Sequence, residues 1–425
     1  MRKGYRIITI LLGFASIAAL LAACNSSTGN GGSKLCNGQI SIASELPTTG
    51  TDGSEGKPAQ NGVQLAVNQN SKLPNGYTLS LITYNDVSAT LGKHDPDQGA
   101  KNVTDMVSNK CILGFVGPFN SNVAGAEIPI SENAGLVMIS PANTNPGLTI
   151  QSAAQPNGFD WNTLHPAGKP ESYFRIPGND IAQGTVDADI ATSDLNAKTV
   201  YIVDDQEVYG VGIANYFSDE FKKKNGDASI LGRDGIPANG AAQIPGLAAK
   251  IVAANPDVVY YGGVTSGGGG TLKAQLVAAG YTKPMVGGDG IGADDGFLQQ
   301  AGAGAANNTY GTVGAPDTNS LGSSASTKFL SDYKTAYPGA DLGAYSANSY
   351  DAAQILIAAI KSEINAGKDP SRAGMITSVQ ATDYNGVTGH ITFDAHGDNA
   401  SGGIWSLYKV DGGKWAFVKN VTSGS

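Results

Sequence analysis

The chain has 425 residues, 41% of them apolar and only 15% charged, enough to bury a large core and to divide into two lobes. Its 36 acidic side chains outnumber 27 basic ones and leave a net charge of −9, which argues against nucleic acid and anionic lipid surfaces as partners. The four histidines, His94, His165, His390 and His396, lack the HExxH spacing of a zinc protease and read as surface or turn residues, and no G-x-S-x-G elbow occurs.

The chain starts with MRKGYRIITILLGFASIAALLAAC, in which Arg2, Lys3 and Arg6 precede an apolar run and small residues. That is the layout of a secretory signal over residues 1–23. Leu21-Ala22-Ala23-Cys24 resembles the lipobox of bacterial lipoproteins, which implies a lipid on Cys24 and an extracytoplasmic protein anchored to the bacterial cell membrane. Loss of the signal takes three positive charges, leaving 24 against 36 acids and a net charge of −12. Residues 24–35 are rich in Ser, Gly and Asn and read as a flexible tether. Cys36 and Cys111 each stand just before a predicted strand, and in an oxidising compartment a disulfide between them is expected.

From Gln39 strands and helices alternate. QISIASE and YTLSLIT read as strands on either side of a helix that carries Val63, Ala66 and Val67 on one face. Asp95 and Pro96 write the start of the next helix, whose buried stripe includes Val103 and Met106. CILGFVG is a continuous apolar run, as suits a strand covered on both faces, and a helix from Val123 and the strand LVMIS follow it. Residues 149–172 lapse into a Pro-, Gly- and Asn-rich loop. A second series then runs through SYFRI, KTVYIVD, DVVYYGG and PMVGG. Its helix from Val208 to Lys224 spaces Ile213, Phe217 and Phe221 four apart and ends in three lysines before Asn225-Gly226. Near Asp351 a helix returns to the first style, and GHITFDAHGD, IWSLYKV and KWAFV close the chain as antiparallel strands. The pattern predicts an α/β protein of two doubly wound parallel-sheet lobes. The lobe identity switches more than once along the chain.

In open α/β sheets ligands bind beyond the carboxyl ends of strands, so residues that follow strands are the candidates. Asn120 and Ser121 follow CILGFVG, and Ser121 opens a helix whose N–H groups attract an anion. Ala142, Asn143 and Thr144 follow LVMIS and offer backbone groups and a hydroxyl. Asp289, between Gly288 and Gly290, puts a carboxylate at a strand end of the second series, and Tyr209 stands just after another. The glycine-rich GGDGIGADDG has Ala293 where a G-x-G-x-x-G frame needs its third glycine, and no Walker lysine follows elsewhere, so no nucleotide or other cofactor and no metal site is expected.

The ordered run VGPFNSN, ISPANTNPGLT, YFRIPGNDIAQG, VYIVDDQEVYG, DVVYYGGVTSGGG, MVGGDGI and ITFDAHGD resembles the leucine/isoleucine/valine-binding family of ABC transporter receptors over nearly the whole mature chain. The resemblance implies a type I periplasmic-binding-protein fold, two lobes joined by three crossover strands with a ligand cleft between them. It divides the chain into lobe 1 (36–177 plus 314–386) and lobe 2 (178–313 plus 387–425). It further implies a monomeric, non-enzymatic receptor that closes on an amino acid, branched-chain or related, and delivers it to permease subunits. Carried over by residue, the carboxylate falls to Ser121, the charged ends to Ala142, Asn143 and Thr144, the ammonium to Asp289, the pocket tyrosine to Tyr209 and a pocket-edge position to Asp180. Two aromatic walls are missing, one replaced by Val264 and another falling near Glu55, and Cys36 departs from the family's disulfide position. A receptor for amides or urea, a ligand sensor, or less readily a secreted hydrolase are the alternatives.

Overall fold

The computed structural model describes residues 34–421; the expectations for the signal, for Cys24 and for nearly all of the tether lie outside the described residues. The first sheet has five strands: β1 (Gln39–Glu45), β2 (Thr78–Tyr84), β3 (Ile112–Val116), β4 (Val137–Ser140) and β5 (Tyr173–Arg175). All run parallel, in the order β2-β1-β3-β4-β5. Every residue of β3 and β4 is buried, which is why their sequences are apolar up to Ser140 at the end of β4. The helices Gly53–Gln69 and Ser346–Asn365 cover one face. They touch where a Cβ on Gly62 would lie 2.1 Å from the Ser346 carbonyl, so only glycine permits that approach.

The second sheet takes β6 (Val200–Asp204), β7 (Ile230–Gly235), β8 (Val258–Gly262), β9 (Met285–Gly287), β10 (Thr309–Val313), β13 (Trp405–Asp411) and β14 (Lys414–Val421), after a separate hairpin of β11 (Asp383–Asn385) and β12 (His390–Thr392). Its core strands are parallel, while β13 and β14 add antiparallel at one edge. Helix Val208–Asn225 buries Ile213, Phe217 and Phe221 as its spacing predicts, and Phe217 stacks on Tyr260 with centroids 3.7 Å apart.

Sequence and structure part company in several places. β7 is half exposed and interrupted by Gly232, and β10 is short and polar, so neither shows a buried strand's pattern. The loop over 149–172 holds two helices of one turn each, Gln151–Ala154 and Trp161–Leu164. The assignment of everything after residue 386 to the second lobe also needs correcting. Val387, Ile391 and Phe393 pack with first-lobe residues, and Arg175 N–H donates to the Gly397 carbonyl. The passage back to the second lobe comes only near Trp405. A Cβ on Gly178 would lie 3.2 Å from its fully buried ring and one on Gly314 would lie 3.1 Å from it, so the three chain passages between the lobes meet there.

Cys36 and Cys111 form a disulfide, with Cα atoms 5.8 Å apart at the shared edge of β1 and β3. Closing a loop of 75 residues contributes about 4 kcal/mol on the chain-entropy account.

Under the same sheet three fully buried carboxyls gather: Glu45 at the end of β1, Asp86 after β2, and Glu127 on the helix Ser121–Ala134. Asn102 Nδ2 donates to Glu45 Oε1 at 2.9 Å, but both oxygens of Asp86 and of Glu127 lack hydrogen-bond partners. Burial pushes Glu45 up to about 7, against the pull of its hydrogen bond from Asn102, and burial and the neighbouring carboxylates hold Asp86 and Glu127 well above the usual range. The folded chain therefore holds protons that the unfolded chain has released, and stability falls as pH climbs from the ordinary carboxylate range through 7. The melting temperature of the full chain should be highest near about pH 5 and fall toward pH 8. In thermal melts across that range, Glu127→Gln should flatten the fall and raise stability above pH 7.

Candidate functional site

The carboxyl ends of both sheets face each other across a seam. Apolar β3 gives way to Gly117-Pro118-Phe119, and Asn120 then starts the helix Ser121–Ala134, which places Ser121 at the helix mouth, 4% exposed. β4 stops at Ser140, whose hydroxyl donates to the Pro118 carbonyl at 2.7 Å and accepts from Asn143 N–H at 2.9 Å. Asn143 extends this bracing: its Nδ2 donates to the Phe119 carbonyl and its Oδ1 accepts from the Tyr173 hydroxyl. One serine and one asparagine thus fix two strand-end loops against each other. A cavity of about 30 Å³ lies beyond them, lined by Asn120, Ser121, Ala142 and Thr144 from the first lobe and by Tyr209, Val264 and Asp289 from the second, among others. That is space for one or two waters.

Asp289 dominates the far wall. Its carboxylate is buried without an ion-pair partner among the described residues, and two tyrosines serve it instead. Tyr209 donates to Oδ1 and Tyr345 to Oδ2, each at 2.7 Å. Tyr209 also accepts from Gly290 N–H, and Tyr345 accepts from Gly314 N–H and meets Phe119 edge-on at 5.3 Å. The glycine before Asp289 is required by this contact, since a Cβ on Gly288 would lie 2.7 Å from the Tyr209 hydroxyl. Burial raises the Asp289 pKa, and the hydroxyls and Gln183 oppose that rise.

Of the residues singled out in the sequence, Asn120, Ser121, Ala142, Thr144, Tyr209, Val264 and Asp289 converge on the cavity. The side chain of Asn143 braces the loops and does not line it. Asp180 stands behind the wall: its N–H donates to the Thr144 carbonyl, its carboxyl has no hydrogen-bond partner, and burial together with the Asp289 charge holds its pKa well above the usual range. Glu55, where an aromatic was expected, is likewise off the cavity wall, and burial with the charges of Asp294, Asp52 and Asp289 raises it strongly. Among the described residues no cluster of His, Cys, Asp and Glu is placed to hold a metal ion.

Three residues that matter were missed. Tyr345 follows no strand, so a search of strand ends passes over it. Glu207 stands two residues before Tyr209, and His94, read as a surface histidine, is in fact 1% exposed. The reason is a polar clasp across the seam. His94 Nδ1 bonds to Asp52 at 2.9 Å and Nε2 to Glu207 at 2.8 Å, while Lys93 and Asn122 also bond to Glu207. Asp52, Lys93, His94 and Asn122 belong to the first lobe and Glu207 to the second. Burial opposes the charge on His94, yet its two carboxylates raise it to about 10; burial likewise works against Glu207, which His94 and Lys93 bring down to about 2.

The periplasmic binding protein family matches residues 39–414. The chain is 27% identical to Leu/Ile/Val-binding protein homolog 1 of Brucella melitensis biotype 1 over 372 residues, covering 87% of this chain and 89% of that protein. It is 28% identical to Leu/Ile/Val-binding protein BraC3 of Rhizobium johnstonii over 384 residues, covering 89% and 94%. Among solved structures, the branched-chain amino acid transporter substrate-binding protein LivJ of Streptococcus pneumoniae, in complex with isoleucine, superposes with a TM-score of 0.74 at 23% identity, covering 90% of this chain and 99% of that one.

Parting of the lobes would take Glu207 from His94 and leave it Asp52, so an open form would hold its proton less tightly. Closure is then fully supported below the open-form pKa and loses support as pH rises toward about 10. Small-angle scattering of the full chain should show expansion between about pH 8 and pH 10. Glu207→Gln, which removes the charged acceptor, should be expanded already at pH 7 and change little over that window.

Proposed function

Because the chain belongs to the periplasmic binding protein family, whose members bind solutes and are not enzymes, we propose that it is the receptor of an ABC importer and that its solute is an α-amino acid. The family places it outside the cytoplasm. The observation that carries the choice of solute is the pairing of chemistries across one cavity. On one side a helix start and the Ser121 hydroxyl offer donors to a carboxylate. On the other, Asp289 is a buried carboxylate whose partners are all neutral, and an ammonium is the group that would compensate its charge. A receptor for amides or urea would leave that charge unmatched, and this disfavours the alternative on the same fold.

The solute docks first on the rigidly braced first lobe, through Ser121, the Ala142 carbonyl and Thr144. Asp289 and Tyr209 then arrive with the second lobe as the seam shuts, and the clasp at Glu207 supports the closed form. Asn143 and Asp180 act behind the wall, holding the Thr144 loop in place. A molecule lacking either charged end would leave a buried polar group unpaired, which is what makes such a site selective. The closed form is delivered to permease subunits, as a monomer held at the cell membrane by a lipid on Cys24.

Asp289→Ala should lower affinity for its amino acid by at least a hundredfold, about 3 kcal/mol, in calorimetric titration with little change in melting temperature. Unchanged affinity would remove Asp289 from the site. Cys24→Ser should move the protein from the membrane fraction to the soluble fraction of fractionated cells.

A further inference from the structure

The resemblance leaves the solute's side chain open, and Asn120 narrows it. This residue occupies the N-cap position of the helix Ser121–Ala134 with the extended backbone of a cap, yet its side chain caps nothing. It is 9% exposed and lines the cavity, and its buried Oδ1 has no hydrogen-bond partner. A buried amide oxygen with neither a cap bond nor another partner among the described residues is unfavourable unless a guest completes it. The rest of that wall is already committed. Asn122 Nδ2 donates to Glu207 and its Oδ1 accepts from Val123 N–H. Glu207 in turn receives Lys93, His94 and Asn122, so its charge is compensated and it is not free to select a cation. Phe119 and Val264 supply the apolar remainder.

With the charged ends of the guest assigned to Ser121, Thr144 and Asp289, Asn120 faces what remains of it. We propose that Asn120 is a specificity residue and that the solute is an α-amino acid whose short side chain carries a neutral hydrogen-bonding group, a hydroxyl or a carboxamide, rather than a branched aliphatic chain. This rests on the reading of the cavity as an amino-acid site. An amide offers a donor and an acceptor that exchange places by a flip of its plane, which matches hydroxyls and carboxamides better than any charged group. A site built around such a bond rejects the isostere that lacks it.

The test is calorimetric titration of the full chain in detergent with two near-isosteric pairs, L-threonine against L-valine and L-asparagine against L-leucine. The expected result is that the polar member of at least one pair binds at least tenfold tighter than its partner. If neither polar member does, while some amino acid binds, the specificity assignment is overturned and the amino-acid reading stands. Binding of no α-amino acid overturns both. In Asn120→Leu the polar-to-aliphatic ratio should collapse toward one. An equal loss for both members, leaving the ratio intact, would mean that Asn120 holds the common carboxylate and would also overturn the assignment.

Discussion

The seam is organised by one unusual burial: the Asp289 carboxylate sits in the interior with two phenolic hydroxyls and, among the described residues, no cation. A charge so placed is tolerated only where every nearby dipole is turned toward it, and the surrounding residues do this. Gly288 clears room for Tyr209. Gly314, on a passage between lobes, donates through its N–H to Tyr345, and Tyr345 rests on Phe119 of the first lobe. Remove the carboxylate and these arrangements lose their common object, although each is also part of the packing of two hydrophobic lobes.

The clasp at Glu207 and the cavity solve different problems with similar means. In the clasp, carboxylates meet His94 and Lys93, so the charges are neutralised within the protein and their bonding favours the closed form. At Asp289 the bonds come from neutral hydroxyls, and no ion-pair partner is found among the described residues. The chain belongs to a family of solute-binding proteins.

Much of this was legible in the sequence because strand ends are local. Ser121, Thr144, Tyr209 and Asp289 each follow a recognisable strand or open the helix after it, and a rule about parallel sheets picks them out one at a time. What was not legible is pairing across distance. His94 lies in the polar stretch LGKHDP, with nothing nearby to suggest that Glu207, 113 residues on, would bury it. Tyr345 begins a helix whose apolar face is about packing, and only the folded chain brings its hydroxyl beneath Asp289. The loss of aromatic walls at Val264 and Glu55 was visible, but the free amide of Asn120 was not, because an asparagine before a helix reads as an ordinary cap.

The interleaving of the lobes bears on how the protein is made. The sheet of the first lobe is complete by Arg175, but its core also needs Ile355, Leu356 and Ile360, and then Ile391 and Phe393. A chain synthesised from its amino end therefore reaches the whole of the second lobe's parallel sheet before the first can seal. Until those last segments emerge, the face of the early sheet stays greasy and open to wrong partners. For a protein that acts outside the cytoplasm, that delay is an asset, since a chain that cannot seal early stays threadable across a membrane.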